Sequence, residues 1–145
     1  MALIGDIKGK RIYLDASIII YIVEEPVPLS ARQLALFKAV DDGSITAVTS
    51  ELSLAECLVY PLTANDPRLA SAYEQFLGNS AGLEVIPIDR EILVVAAHVR
   101  ALTKLKLPDA IHVATATKAG ATNLLTSDKR IKAPSGLTIN YWSGL

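Results

Sequence analysis

Blocks of apolar residues divide the chain into strand-like and helix-like segments. Short runs of aliphatic and β-branched residues predict five strands, the first of which ends at Asp15. These strands are residues 11–15, 44–50, 83–88, 122–128 and 136–142. Between the strands, apolar residues recur at the three- and four-residue spacing of helices. The predicted helices are residues 17–25, 30–43, 51–62, 66–79, 89–105 and 108–120, and Pro61 is expected to stop the third.

Strands that alternate with helices of this length predict a parallel sheet covered by helices on both faces. A length of 145 residues predicts one domain, residues 1–145, which can bury a core without disulfides. Sheets of this class bind ligands beyond the carboxyl ends of their strands. The residues that follow each strand are therefore the first candidates for a functional role.

The composition excludes several classes of protein. Apolar residues make up 51% of the chain and charged residues 20%, which excludes intrinsic disorder. Cys57 is the only cysteine, which excludes a disulfide scaffold and fits a reducing compartment. Residues 1–16 lack the pattern of a secretory leader, and no apolar run approaches the roughly 18 residues of a membrane span. We therefore expect a cytoplasmic protein with no membrane partner.

The charges are unevenly distributed, although the net charge is only −1. Residues 1–89 contain 6 basic and 12 acidic residues, a balance of −6, whereas residues 90–145 contain 8 basic and 3 acidic residues, a balance of +5. A basic half can form a surface that binds phosphates. The alternative is an ordinary solvated surface.

Four acidic residues lie next to strongly apolar sequence. Asp15 and Asp128 each close a predicted strand, Glu56 lies within the third helix, and Asp109 opens the sixth. A buried acid is costly unless it is paired, hydrogen-bonded or metal-bound. Asp109 and Asp128 have an alternative role as helix caps, and Glu56 has one as a solvent-exposed residue. Asp15 is hardest to explain in such terms, and one acidic pocket accounts for all four.

A pocket of carboxylates suits a hard divalent cation such as Mg²⁺ or Mn²⁺. Such an ion relieves the repulsion between the acids, lowers the pKa of a water molecule and neutralises charge on a phosphodiester. Two ions roughly 4 Å apart can combine these effects in one displacement reaction. Basic side chains near the pocket would then hold the nucleic-acid backbone. The candidates for this role are Lys104, Lys106, Lys129 and Arg130.

Four segments in a fixed order carry a family resemblance. They are IYLDASIIIY with Asp15 and Ser17, TSELSLAE with Glu56, KLPDAIHVATA with Asp109, and LLTSDKRI with Thr126 and Asp128. On these segments the sequence resembles PIN-domain nucleases, and in particular the VapC-type toxins of toxin–antitoxin pairs. The resemblance spans nearly the whole chain.

The resemblance implies a flavodoxin-like α/β/α sandwich with metal-dependent endoribonuclease activity. Carried over to this sequence, it implies that Mg²⁺ or Mn²⁺ is bound by the four acids, with hydroxyls orienting them. The implied metal ligands are Asp15, Glu56, Asp109 and Asp128, and the implied hydroxyls are those of Ser17 and Thr126. The resemblance further implies an RNA substrate, a homodimer and a small antitoxin protein that occupies the active-site groove.

The sequence departs from the family pattern at one point. Many members carry a further acid within a few residues of the fourth one, but here Lys129, Arg130 and Ile131 follow Asp128. This departure leaves open whether one or two ions bind.

Other functions account for fewer of these residues. A receiver-like module would use Asp15, Thr126 and Lys129, but it leaves Glu56 and Asp109 without a role. A haloacid-type phosphatase requires the pattern D-x-D, whereas the residue two positions after Asp15 is a serine, and no phosphate-binding glycine motif is present. A PIN nuclease of RNA processing and a PIN fold that binds without cutting remain as alternatives.

The remaining candidates have structural interpretations. His98 and His112 are expected to pack or to lie on the surface, and Cys57 to lie in the core. Asp66 is expected to cap a helix. Tyr141 and Trp142 are expected to pack against the terminal strand rather than to stack on a base.

Overall fold

The computed structural model describes residues 9–80, 82–132 and 136–145. The prediction that residues 1–16 contain no leader rests partly on residues 1–8, which lie outside these ranges. The strands are β1 (Arg11–Leu14), β2 (Thr46–Ser50), β3 (Leu83–Ile86), β4 (Asn123–Thr126) and β5 (Thr138–Tyr141). The helices are α1 (Ala16–Glu24), α2 (Ala31–Asp41), α3 (Glu51–Thr63), α4 (Pro67–Asn79), α5 (Arg90–Thr103) and α6 (Leu107–Lys118), followed by a 3-10 turn at Trp142–Gly144.

The five strands form one sheet in the order β3-β2-β1-β4-β5, and every pair is parallel. The order runs outward from β1 in one direction and from β4 in the other, so the topology switches between these two strands. A switch of this kind opens a crevice at the carboxyl ends of the strands, where ligands bind α/β sheets. Asp15 follows β1 and Asp128 lies just beyond β4. The predicted α/β fold with a parallel sheet is confirmed.

Side chains of alternating direction on the strands create a core on each face of the sheet. Ile12 and Leu14 of β1 contact the apolar residues of α1, α2, α3 and α4. Tyr13, between them, points to the other face and packs with residues of α5 and α6. The sheet is thus the middle of three layers, and the helices that carry Glu56 and Asp109 lie on opposite faces of it. No helix in the described part of the chain has the length and apolar character needed to cross a membrane.

The helices begin where the sequence supplies a cap. Ser30 and Gln33 form a reciprocal capping box at the start of α2. Asp66 accepts a hydrogen bond from the backbone of Leu69 at 3.1 Å, which confirms its predicted role as a helix cap. Asp89 caps α5 in the same way, and its pKa is lowered mainly by a hydrogen bond from Lys118.

The end of the chain packs against the helices on one face of the sheet, so the expectation that Trp142 is a packing residue is confirmed. Trp142 is buried, and its ring lies 5.5 Å from those of both Tyr21 and Phe37. The hydroxyl of Tyr141 donates to the carbonyl of Ile131 at 2.7 Å. Cys57 is also buried, and burial raises the pKa of its thiol to about 12.

The predicted end of the third helix and the predicted bounds of the strands are wrong. Pro61 does not stop the third helix, because α3 continues to Thr63. A proline removes only its own amide donor, and here the next turn is still closed by a bond from Ala64 N–H to the Tyr60 carbonyl at 2.9 Å. The strands are also shorter than predicted, since apolar pattern alone does not show where the ladder of hydrogen bonds ends.

Candidate active site

Asp15 is a buried acid at the topological switch, with a relative exposure of 5%. Its Oδ1 accepts hydrogen bonds from the Ser17 hydroxyl at 2.5 Å and from the backbone of Ile18 at 3.3 Å. Its Oδ2 accepts from the Thr126 hydroxyl. Burial raises the pKa of Asp15, and these hydrogen bonds oppose the increase. The carboxylate is therefore fixed in position by its own chain.

Thr126 and Ser17 join the end of β4 to the start of α1. The Thr126 hydroxyl, which donates to Asp15, also accepts from the backbone of Asp128 at 3.0 Å. The Ser17 hydroxyl accepts from the backbone of Ser127 at 3.0 Å. Two hydroxyls on neighbouring segments thus set the position of Asp15 relative to the loop that carries Asp128.

Asp109 lies in the first turn of α6 and is half-buried. Its pKa is raised mainly by burial, and then by the negative charge of Asp128, with smaller effects of Glu56 and Asp15. The charge of His112 opposes these effects. Acids from three other segments therefore act electrostatically on Asp109, in addition to the larger effect of burial.

Glu56 extends from α3 toward α6, where its Oε1 lies 2.5 Å from His112 Nε2. The other ring nitrogen, Nδ1, lies 2.6 Å from the Tyr13 hydroxyl, which in turn lies 2.8 Å from Ser50 Oγ. His112 and Tyr13 are fully buried, whereas the Glu56 side chain is 36% exposed. A buried chain of polar groups thus ends at a half-exposed carboxylate.

Sequence reasoning missed the part that His112 plays in this cluster. The packing interpretation explains the burial of His112 but not its contact with Glu56. A signal was available, because His112 follows Asp109 by three residues and so lies on the same face of α6. The sequence alone does not show that α3 brings a carboxylate to that face.

Asp128 is held by Arg130 through three hydrogen bonds. The Arg130 backbone and Nε donate to Oδ1 at 2.9 and 3.0 Å, and a terminal guanidinium nitrogen donates to Oδ2 at 2.7 Å. These bonds lower the pKa of Asp128, and Lys106 adds a smaller effect. The predicted alternative for Asp128, a cap of a short helix, is wrong, because only a turn follows it; Asp128 caps that turn and also forms an ion pair with Arg130.

The four basic residues proposed for RNA differ in their relation to the acids. Arg130 is bound to Asp128, and the charge of Lys106 acts on the same carboxylate. Lys104 and Lys129 are exposed, and within the described ranges no hydrogen bond or ion pair connects either to an acid of the site. The receiver-like interpretation, which requires Lys129 beside Asp15, gains no support from this arrangement.

The donor chemistry of the four acids fits a hard divalent cation, since carboxylate oxygens are the ligands that Mg²⁺ and Mn²⁺ prefer. Burial is the main cause of the raised pKa of Asp109, and the negative charges of Asp128, Glu56 and Asp15 add to it. A cation would offset these charges. Within residues 9–80, 82–132 and 136–145, however, no three His, Cys, Asp or Glu side chains stand close enough to form a ready-made metal site. Asp128 would have to leave Arg130 to join such a site.

Comparisons with known proteins place these features in context. A chain of the VapBC2 structure from Rickettsia felis, bound to a promoter DNA fragment, has a TM-score of 0.69 at 18% identity, covering 91% of this chain and 98% of that one. DNA-bound VapBC from Salmonella typhimurium gives 0.69 at 16% identity, over 92% and 98%. VapC20 of Mycobacterium tuberculosis, a sarcin-ricin loop cleaving toxin, gives 0.61 at 18% identity, over 78% and 86%.

These structures share the fold of the present chain. No curated protein sequence is significantly similar to it. The family model of the PIN domain matches residues 12–137, a range that contains β1 except its first residue, β2 to β4, all six helices and each of the four acids. The chain belongs to the PIN domain family.

Proposed function

We propose that this protein is a metal-dependent endoribonuclease that hydrolyses RNA phosphodiester bonds at the site formed by Asp15, Glu56, Asp109 and Asp128. One observation carries the proposal. A buried acid at the topological switch is fixed by two hydroxyls. Asp109 has its pKa raised first by burial and then by the charges of the other three acids. Membership of the PIN domain family supports it independently.

The chain's own residues prepare this site in two ways. Asp15 accepts hydrogen bonds from the hydroxyls of Ser17 and Thr126 and from the Ile18 backbone. Its carboxylate is therefore already oriented and would not have to reorganise to bind a cation. Asp109 has an unfavourable electrostatic environment because like charges surround it. Placing a cation among these acids therefore relieves a repulsion that the fold maintains.

The four acids would hold Mg²⁺ or Mn²⁺. When bound, such an ion supplies positive charge that stabilises a phosphodiester undergoing displacement and lowers the pKa of a water molecule. Glu56 offers one oxygen that is not engaged by His112, and Asp128 becomes available when Arg130 turns away. With Lys106, the released Arg130 side chain, which is 71% exposed, is placed to contact the RNA backbone.

We further propose that the protein is a toxin with an antitoxin partner. The similar structures from Rickettsia felis and Salmonella typhimurium are VapBC complexes, and another from Klebsiella pneumoniae is a toxin–antitoxin complex. Apolar side chains that a partner protein could cover are exposed on this chain. They include Val27 and Leu34 beside α2, Val59, Tyr60 and Leu62 on α3, and Leu93, Val94 and Leu102 on α5.

The same exposed residues support a homodimer, because large exposed apolar side chains can mark contacts between protein chains. A cytoplasmic location follows from the proposal, since its RNA substrate and its antitoxin are made there. Light scattering of the purified protein, alone and with the product of any short reading frame found next to its gene, tests both assemblies. A monomer in each case would contradict the proposed partners but not the nuclease.

The decisive experiment is cleavage of a structured RNA pool with Mg²⁺, with Mn²⁺ and with a chelator. We expect cleavage that requires metal and is lost in Asp109→Asn, because the substitution removes the charge at nearly constant volume. Asp109→Asn should unfold at the same or a higher temperature than wild type, since the ionised carboxylate is disfavoured in the folded state. Asp66→Asn is the matched control, because Asp66 is an exposed helix cap.

The result that would overturn the proposal is cleavage that persists in folded Asp109→Asn or in excess chelator. Absence of cleavage together with absence of Mn²⁺ binding would equally exclude it, in favour of a PIN fold that binds without cutting. If the protein cleaves RNA and no antitoxin partner is found for it, the result would instead indicate a PIN nuclease of RNA processing.

A further inference from the structure

We infer that His112 is a positioning residue that fixes the Glu56 carboxylate through Nε2, and that Tyr13 fixes His112 through Nδ1. The inference rests on the proposed function, because it concerns the orientation of one of the four site acids. Neither residue belongs to the set of acids and hydroxyls that the family resemblance assigns to the site.

The contacts support the inference because both ring nitrogens are engaged. His112 Nε2 lies 2.5 Å from Glu56 Oε1, and Nδ1 lies 2.6 Å from the Tyr13 hydroxyl. The Tyr13 ring meets the imidazole edge-on, with centroids 5.6 Å apart and an interplanar angle of 60°. Rotating the imidazole would break both hydrogen bonds in a place where His112, with 2% exposure, has no access to replacement water.

The count of hydrogen atoms fixes the direction of the contact with Glu56. An ionised carboxylate only accepts hydrogen bonds, so His112 Nε2 carries the hydrogen. The Tyr13 phenol has one hydrogen and two close partners, Ser50 Oγ and His112 Nδ1. Whichever partner receives that hydrogen, Nε2 still donates to Glu56.

The elements involved explain why such a device is useful. Glu56 is a flexible side chain on a half-exposed stretch of α3, and α3 and α6 approach the site from opposite sides of the sheet. A free glutamate would sample several rotamers. The contact with His112 holds one carboxylate oxygen and leaves the other without a partner in the described part of the chain. An orienting partner of this kind strengthens metal binding by a carboxylate.

Two substitutions separate positioning from packing. In His112→Gln, the side-chain amide nitrogen takes the place of Nε2 and can still donate to Glu56. In His112→Asn, the shorter side chain takes the place of Nδ1 and reaches only toward Tyr13. His98→Gln is the control, because His98 is the other histidine of the chain and is exposed on α5.

The first measurement is Mn²⁺ binding without RNA. We expect the dissociation constant to rise by about tenfold in His112→Asn, in the range typical of losing an outer-shell partner, and by less than about threefold in His112→Gln. His98→Gln should match wild type. Cleavage at saturating RNA should follow the same order, with the RNA KM unchanged.

The second measurement is the proton NMR spectrum of the histidine ring hydrogens. A hydrogen held between Nε2 and a carboxylate exchanges slowly with water and gives a signal far downfield. We expect such a signal in wild type and in His98→Gln, and its loss in both His112 variants. The same signal should move in Glu56→Gln, because the acceptor loses its charge. Tyr13→Phe should shift it by removing the partner of Nδ1.

The outcomes distinguish this inference from the proposed function. If wild type binds Mn²⁺ and cleaves RNA while folded His112→Asn and His112→Gln behave alike, the positioning role is wrong and the nuclease stands. A wild-type spectrum without the downfield signal also contradicts the role of His112. If the signal is present and wild type binds no metal, the contact is real but the proposed function, and with it this role, is lost.

Discussion

Asp15 and Asp128, which lie beyond the ends of the neighbouring strands β1 and β4, differ in burial, in hydrogen-bond partners and in the direction of their pKa shifts. Asp15 is buried and fixed by two hydroxyls and a backbone amide, and burial raises its pKa. Asp128 is partly exposed and held by the guanidinium of Arg130, which lowers its pKa. Asp15 is oriented so that it could accept a cation, whereas Asp128 is already paired with the cationic side chain of Arg130. The comparison teaches that a shared residue type does not imply a shared state within one site.

The substitution Asp15→Asn should have the largest effect. We expect it to reduce RNA cleavage by more than about a hundredfold, beyond the effect of losing an outer-shell partner, because a fixed charge at the topological switch is removed. Cleavage in the presence of Mg²⁺ is the measurement, and Asp66→Asn, a helix cap with a similar backbone contact, is the control. An Asp15→Asn protein that cleaves RNA at the wild-type rate would remove Asp15 from the site.

Thr126→Val should have the next largest effect, because this hydroxyl serves both acids. It donates to Asp15 and accepts from the Asp128 backbone, so an isosteric methyl leaves two buried polar groups with one partner fewer. We expect the free energy of unfolding to fall by about 1–3 kcal/mol. Urea denaturation is the measurement. Thr46→Val is the control, because Thr46 lies exposed on β2, and equal losses in the two variants would contradict the role of the hydroxyl.

Arg130→Gln tests whether Arg130 competes with a cation at Asp128. We expect the Mn²⁺ dissociation constant without RNA to fall by about two- to fivefold, the scale of an exposed ion pair. Binding of RNA should weaken at the same time, with a flatter dependence on salt. Lys132→Gln, an exposed change nearby, should leave metal binding unaltered. Weaker Mn²⁺ binding in Arg130→Gln would show that Arg130 supports the metal site instead.

The smallest effect concerns pH in the metal-free protein. The raised pKa of Asp15 means that the folded state retains a proton longer than the unfolded chain, so this contribution to stability falls as pH rises above about 3.9. The lowered pKa of Asp128 has the opposite sign, and its contribution is lost as pH falls toward that lower pKa. In urea denaturation across pH, the decline as pH rises above about 3.9 should be smaller in Asp15→Asn, and the decline as pH falls below it should be smaller in Asp128→Asn. Identical pH profiles in the two variants would contradict the comparison.

Most of the fold could be predicted, because periodicity reports directly on which face of an element is buried. The βα pattern around Asp15 is an example, since β1 is followed by an acid that caps α1. Helix continuation through Pro61 could not be predicted, because it depends on backbone bonds that bypass one missing donor. The sequence carries no pattern for such local compensation.

The four acids could be proposed as one site from the sequence, because an acid beside apolar sequence is costly to bury and therefore conspicuous. Their partners were harder to predict. The contact between Glu56 and His112 joins residues 56 positions apart on two helices, and the sequence does not show how α3 and α6 face each other. Arg130 is only two residues from Asp128, but its side chain has several rotamers, and only the structure shows that it folds back onto the acid.

The bond between Thr126 and Asp15 spans 111 positions of the chain, and it has a consequence for the order of synthesis. Asp15 leaves the ribosome early, whereas the hydroxyl that holds it is among the later residues to be made. Until β4 emerges and pairs with β1, Asp15 lacks Thr126 and the crevice between the two strands does not exist. An unfinished chain therefore cannot present this site to the RNA of the ribosome that is making it.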